Sequence, residues 1–173
     1  MRIETTTRNL YKFEELSQED QEKAIEKLYD LNIGHDWWEF VCDDAERAGL
    51  KIHEFDLDRG AYAKLTFIGT AEETAHKIMR EHGPSCETYQ TAFEYLSARS
   101  TILAEKNPGQ DEEDHQNYID DELEEHDEEL LKSLSEDYRR MLQREYDYLT
   151  TAEAIRETIE ANDYEFDSEC NLA

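Results

Sequence analysis

Residues 50–68 read "LKIHEFDLDRGAYAKLTFI", and here the spacing of apolar side chains drops from the helical 3.6 to about two. Two β-prone runs flank the charged turn Asp58-Arg59-Gly60, which predicts a β-hairpin. The apolar parity shifts between Ile52 and Phe55, which predicts a bulge. Everything around the hairpin reads as helix. That contrast makes the chain α+β.

Upstream, Ser17 is placed to cap a helix over about residues 18–32, with Ala24, Ile25, Leu28 and Tyr29 at helical spacing. Asp36 is placed to cap a second helix carrying Trp37, Val41, Ala45 and Ala48 on one stripe, ended by Gly49. Residues 2–13, with Ile3, Thr5 and Thr7 alternating with polar positions, suit a first strand. Downstream, Thr70 and Glu73 form a capping box for a third helix, which "HGP" stops with Gly83 as its left-handed cap. A fourth helix over about residues 85–106 places Tyr89, Phe93, Leu96 and Leu103 on its stripe.

An apolar seam of Leu123, Leu130, Leu134, Tyr138, Met141 or Leu142, and Leu149 predicts a long helix over about residues 118–149. Residues 107–117 read as an acidic loop. Thr150 and Glu153 form a further capping box, Ala152, Ile155 and Ile159 face inward, and "YEFDSECNLA" closes the fold as a last strand. The sum is a single α+β domain over residues 1–173, with about four antiparallel strands and about six helices on one sheet face.

The 173 residues carry a formal net charge of −27, and self-repulsion on that scale opposes compaction. Residues 111–130, "DEEDHQNYIDDELEEHDEEL", hold twelve carboxylates and no Lys or Arg, so close to half of the charge is concentrated there. Ten Tyr, six Phe and two Trp supply the aromatic surface of a folded chain. The N-terminal sequence lacks the apolar core of a signal peptide, and no stretch approaches the length of a membrane span, so a soluble intracellular protein is expected. Cys42, Cys86 and Cys170 are widely spaced and suggest reduced thiols, not a disulfide or zinc framework.

No phosphate loop, nucleophile motif or His-Glu-x-x-His occurs, so nothing argues for an enzyme, and no cofactor or metal is expected. Glu73 with His76 and Glu112 with His115 have a di-iron spacing, but 45 acids among 173 residues produce such pairs by chance. His53, Asp56 and Asp58 on the hairpin could hold a divalent cation or perform acid-base work; a charged turn needs the same residues. Trp37, Trp38 and Phe40 cannot all point into one stripe, since neighbouring helix positions lie about 100° apart. Core packing accounts for most of them; the other reading is that one is partly exposed and serves as an interface anchor, with Trp38 the candidate.

On the long helix, Asp120, Glu124 and Glu128 form one i, i+4 row, and Asp121, Glu125 and Glu129 form the next. Like charges at that spacing disfavour the helix by a few tenths of a kcal/mol per pair. Either the rows are a solvated face, or their spacing of about 6 Å imitates phosphates and occupies a basic groove on a partner. Nucleic acid itself is repelled.

The order "LYKFEELSQEDQEKAIE", "HDWWEF", "FDLDRG", "CETY" and "LQREYDYLTTAEAIRETIEANDYEF" resembles a group of small acidic open reading frames common in bacteriophages and prophages. The resemblance covers nearly the whole chain; residues 10–26, 36–40, 55–60 and 144–166 carry it. It implies a phage context in the bacterial host cytoplasm and brings no catalytic residues. In that context the expected role is a non-enzymatic inhibitor of a bacterial defence or nucleic-acid-processing protein that has a basic nucleic-acid-binding surface. The expected contacts are Asp120, Asp121, Glu124, Glu125, Glu128, Glu129 and Trp38. The alternatives are an antitoxin or host-takeover adaptor using the aromatic face near Trp38, and a metal-dependent enzyme at the hairpin.

Overall fold

The computed structural model describes residues 8–105 and 112–173. In chain order these form β1 (Tyr11–Lys12), a 3-10 turn (Phe13–Glu15), α1 (Gln18–Lys27), α2 (Glu39–Ala48), β2 (Leu50–Asp56) and β3 (Tyr62–Phe67). Then come α3 (Ala71–Glu81), α4 (Glu87–Ala104), α5 (Glu112–Leu149), α6 (Ala152–Ala161) and β4 (Glu165–Phe166). Six helices and four antiparallel strands among the described residues make the fold α+β, as the periodicities predict. The strands form two separate pairs, β1 with β4 and β2 with β3, not one sheet under all the helices. The terminal pair is only two residues long because turns at Asp163 (φ 53°) and Asp167 bracket β4. Most of the expected first strand, residues 2–7, lies outside the described residues.

The chain gathers into two compact units, one of the residues up to Trp37 with Arg144–Ala173, the other of Trp38–Gln143. The core of the first is Phe13, Ala24, Ile25, Ile155, Ile159, Phe166 and Cys170. Ser17 caps α1 by accepting a hydrogen bond from the Asp20 amide, and Thr151, not Thr150, caps α6, which buries Ala154, Ile155 and Ile159 and leaves Ala152 exposed. The helix predicted to reach residue 32 stops at Lys27. Buried Asn32 instead donates to the Leu149 carbonyl at 3.0 Å, satisfying a backbone acceptor at the end of α5.

In the second unit, Val41, Ala45 and Ala48 of α2 are buried, and Gly49 ends the helix at φ 90°. Asp36 does not cap α2; Trp38 occupies that position without a side-chain bond. The hairpin bulges at His53, between the pairs Ile52–Leu65 and Glu54–Lys64. The Thr70/Glu73 box caps α3 as predicted. Gly83 has no left-handed backbone; α3 ends at extended His82, whose amide donates to the Ile78 carbonyl. α4 buries Thr88, Ala92, Tyr95 and Ile102, while Phe93 and Leu103 from the predicted stripe are 51% and 57% exposed. That helix has apolar residues on more than one side, so periodicity alone selected the wrong face.

Candidate functional site

The acidic surface is built on α5. Leu130, Leu134, Tyr138 and Leu142 are buried at i, i+4, i+8 and i+12, which fixes the inner face and turns the acidic rows outward. The helix starts at Glu112, so residues 112–117 are helical and not loop; the rest of the predicted loop, 107–111, lies outside the described residues. Two causes extend it. Ile119, four residues before Leu123, is buried and continues the seam forward. Glu112, Glu113 and Asp114 occupy the first turn, where carboxylates interact favourably with the helix dipole.

Asp120, Glu124 and Glu128, and beside them Asp121, Glu125 and Glu129, are all exposed. Among the described residues, none of the six pairs with a Lys or Arg. Asp120 accepts a hydrogen bond from Gln116 at 2.8 Å, and Glu129 lies 3.6 Å from His126. The nearest arginines on the same helix are engaged elsewhere. Arg139 and Arg140 both bond Glu136, at 2.8 and 3.1 Å, and Arg139 above all holds that carboxyl down at about 2. The crowding of negative charge registers on Tyr118, whose phenol is raised first by Glu105 and then by Glu122.

Behind the rows, α5 is held by polar ties. Tyr138 donates to Asp44 on α2 at 3.0 Å, and His82 Nε2 lies 3.3 Å from the same oxygen. His82 Nδ1 meets Thr88 Oγ1 at 2.7 Å, so α2, the end of α3, α4 and α5 share one network. His82 keeps the Asp44 carboxyl below the ordinary range, while burial pushes the Tyr138 phenol up. Two further ties join α4 to α5: Thr91 donates to Asp137 at 2.8 Å and Tyr95 to Asp127 at 2.6 Å. Asp137 is 7% exposed, and burial raises its carboxyl. The network combines Asp, His and a Thr hydroxyl, but Thr88 is buried and open to no substrate. Its residues lie up to 94 positions apart, and sequence reading picked out only Tyr138, as a seam residue.

The remaining candidates are dispersed. Trp38 is half-buried, its ring edge-on to Phe55 with centroids 5.7 Å apart, and Trp37 packs on Tyr146 at 5.6 Å. Of Trp37, Trp38 and Phe40, the one that stands out is Phe40, 69% exposed. On the hairpin, His53 bonds Thr66 at 2.8 Å, while Asp56 accepts the Asp58 amide at 2.7 Å and shapes the turn. Glu73 belongs to the α3 capping box. Among the described residues, no group of three or more His, Cys, Asp or Glu is placed to hold a metal ion. None of the described helices is long and apolar enough to cross a membrane.

No protein-family model matches the chain, and neither a curated protein nor a solved structure does.

Proposed function

We propose that this protein is a phage-encoded, non-enzymatic inhibitor that binds a bacterial anti-phage defence or nucleic-acid-processing protein, presenting its acidic helix in place of nucleic acid. What supports this reading is one observation: six exposed carboxylates stand in two adjacent rows on a firmly tied helix, with no Lys or Arg paired to any of them among the described residues. A solvated face needs no such order, and a helix does not gain from it. Rows of fixed charge on a rigid rod resemble a nucleic-acid strand to a basic groove, and binding them releases counterions. The contact therefore weakens steeply with salt.

The test is capture of partners from bacterial lysate across a salt series, with wild type beside a variant in which all six carboxylates are changed to Lys. Retention at low salt, lost at high salt and in the variant, is the expected result. No retained partner at low salt, or a partner that ignores both salt and charge reversal, overturns the reading.

Phe40 favours a second reading, an antitoxin or host-takeover adaptor that docks through an exposed aromatic on α2. That reading expects salt-insensitive capture lost in Phe40→Ala. Capture unchanged in Phe40→Ala excludes it.

A further inference from the structure

Between the Thr91–Asp137 and Tyr95–Asp127 ties, α4 and α5 stand apart around a cleft of about 230 Å³. One wall carries Glu94, Tyr95 and Ala98, the other Glu129, Leu130 and Ser133, each set at helical spacing and so on one stripe. Leu130 is buried and makes an apolar floor with half-buried Ala98. Glu94 and Glu129 are exposed at the rim, on opposite helices. Among the described residues no Lys or Arg lines this cleft, and the His126 imidazole on the α5 wall lies 3.6 Å from Glu129.

The lining selects its occupant. An anion meets two carboxylates and is repelled. A purely apolar group leaves Glu94 and the Ser133 hydroxyl unpaired and Glu129 with His126 alone. A bare cation meets an apolar floor that offers it no ligand. A long side chain with a methylene stem and a cationic head satisfies floor and rim together. Between the two such side chains, the planar guanidinium has five donors for two carboxylates and a hydroxyl, is weakly hydrated, and stacks on an aromatic such as Tyr95. The lysine ammonium is a strongly hydrated point charge. Glu129 also ends the second acidic row, so the cleft opens beside the proposed contact surface.

We infer that the cleft between α4 and α5 receives an arginine side chain of the basic partner, with Glu94 and Glu129 on its guanidinium and Ala98 and Leu130 under its stem. This rests on the mimicry reading for the source of the arginine. The complementarity belongs to the cleft itself.

The test is an amide-shift titration of the full chain with N-acetyl-arginine methylamide, beside the lysine analogue. Saturable shifts centred on Tyr95, Ala98, Leu130 and Ser133 are expected, with binding about fivefold weaker for the lysine analogue and in the surface variant Glu129→Gln, the loss of one exposed charge contact. Ala98→Leu, which fills the floor, abolishes them; should it not fold, the weakening in Glu129→Gln carries the test. No saturable shifts at these residues, or equal binding of both analogues unaffected by Glu129→Gln, overturns the inference. The same titration on Asp120→Lys, Asp121→Lys, Glu124→Lys, Glu125→Lys and Glu128→Lys combined, which leaves the cleft untouched, separates the two proposals. Cleft binding that persists there while no partner is captured from lysate by wild type upholds the cleft and overturns the inhibitor reading. Salt-sensitive capture without cleft binding does the reverse.

Discussion

The buried hydroxyl of Tyr138 donates to the Asp44 carboxylate at 3.0 Å, tying the inner face of α5 to α2 across 94 residues of sequence. Tyr138→Phe keeps the ring and removes the donor. Asp44 retains His82 at 3.3 Å and Arg47 at 3.2 Å, so no carboxylate oxygen is stranded. The expected loss is about 1 kcal/mol in urea unfolding, whereas Tyr138→Ala, which empties a fully buried ring site, costs about 3–5 kcal/mol.

Two carboxyls of the second unit give opposite pH dependences. The Asp44 carboxyl is lowered, chiefly by His82, so its stabilising contribution is present above the ordinary carboxylate pKa of about 3.9 and is lost as pH falls through its folded value. In His82→Gln that contribution is smaller, so less stability is lost through Asp44 on acidification. Asp137 is raised, chiefly by burial, so its contribution is full below the ordinary value and is lost as pH rises through its folded value. Asp137→Asn keeps an acceptor for Thr91 and removes the buried charge. Its melting temperature is expected above wild type at neutral pH, with the difference closing below about pH 4. Thermal melts over the acid-to-neutral range read both effects.

The rows should destabilise the free protein. Four like-charge i, i+4 pairs, 120/124, 124/128, 121/125 and 125/129, each cost a few tenths of a kcal/mol. Glutamine has nearly the helix propensity of glutamate, so combining Glu124→Gln, Glu125→Gln and Glu128→Gln stabilises by about 1 kcal/mol at low salt. Raising the ionic strength from about 0.01 to 0.15 M shortens the screening length from about 30 to 8 Å. The wild-type melting temperature therefore climbs with salt, and the triple variant's climbs less. Equal salt responses would show that the rows store no repulsion.

Gly49 and Gly83 look alike in sequence and should behave oppositely. Gly49 has φ 90°, and a Cβ there would meet Lys77 and Thr74 at 3.2 Å, so Gly49→Ala costs about 1–2 kcal/mol. Gly83 has no positive φ and open space around it, so Gly83→Ala leaves stability unchanged or raises it by about 0.4–1 kcal/mol. Urea unfolding of the pair distinguishes them.

Many local signals were legible because their chemistry sits within a few residues, although Asp36, Thr150 and Gly83, equally local, do not cap as expected. Ser17, the Thr70/Glu73 box, Gly49 and the bulge beside Ile52 each act through neighbours in sequence, and each was read correctly. α4 was misread because Tyr89, Phe93, Leu96 and Leu103 form as good a stripe as Thr88, Ala92, Tyr95 and Ile102; only the packing of α3 and α5 chooses between them. The front of α5 was lost because the seam was begun at Leu123, although Ile119 continues it. The acidic rows were visible because like charge at fixed spacing is a one-dimensional property. The cleft was not, since its two walls meet only once α4 and α5 fold side by side.

The ties beneath the acidic face also give the protein an optical gauge of its own integrity. Burial raises the phenols of Tyr95 and Tyr138, and Asp127 and Asp44 oppose their ionisation further. In alkali, the near-ultraviolet absorbance of phenolate omits these two of the ten tyrosines while α4 and α5 stay docked. Their late appearance marks the moment the acidic helix comes loose, and it needs neither a label nor a partner.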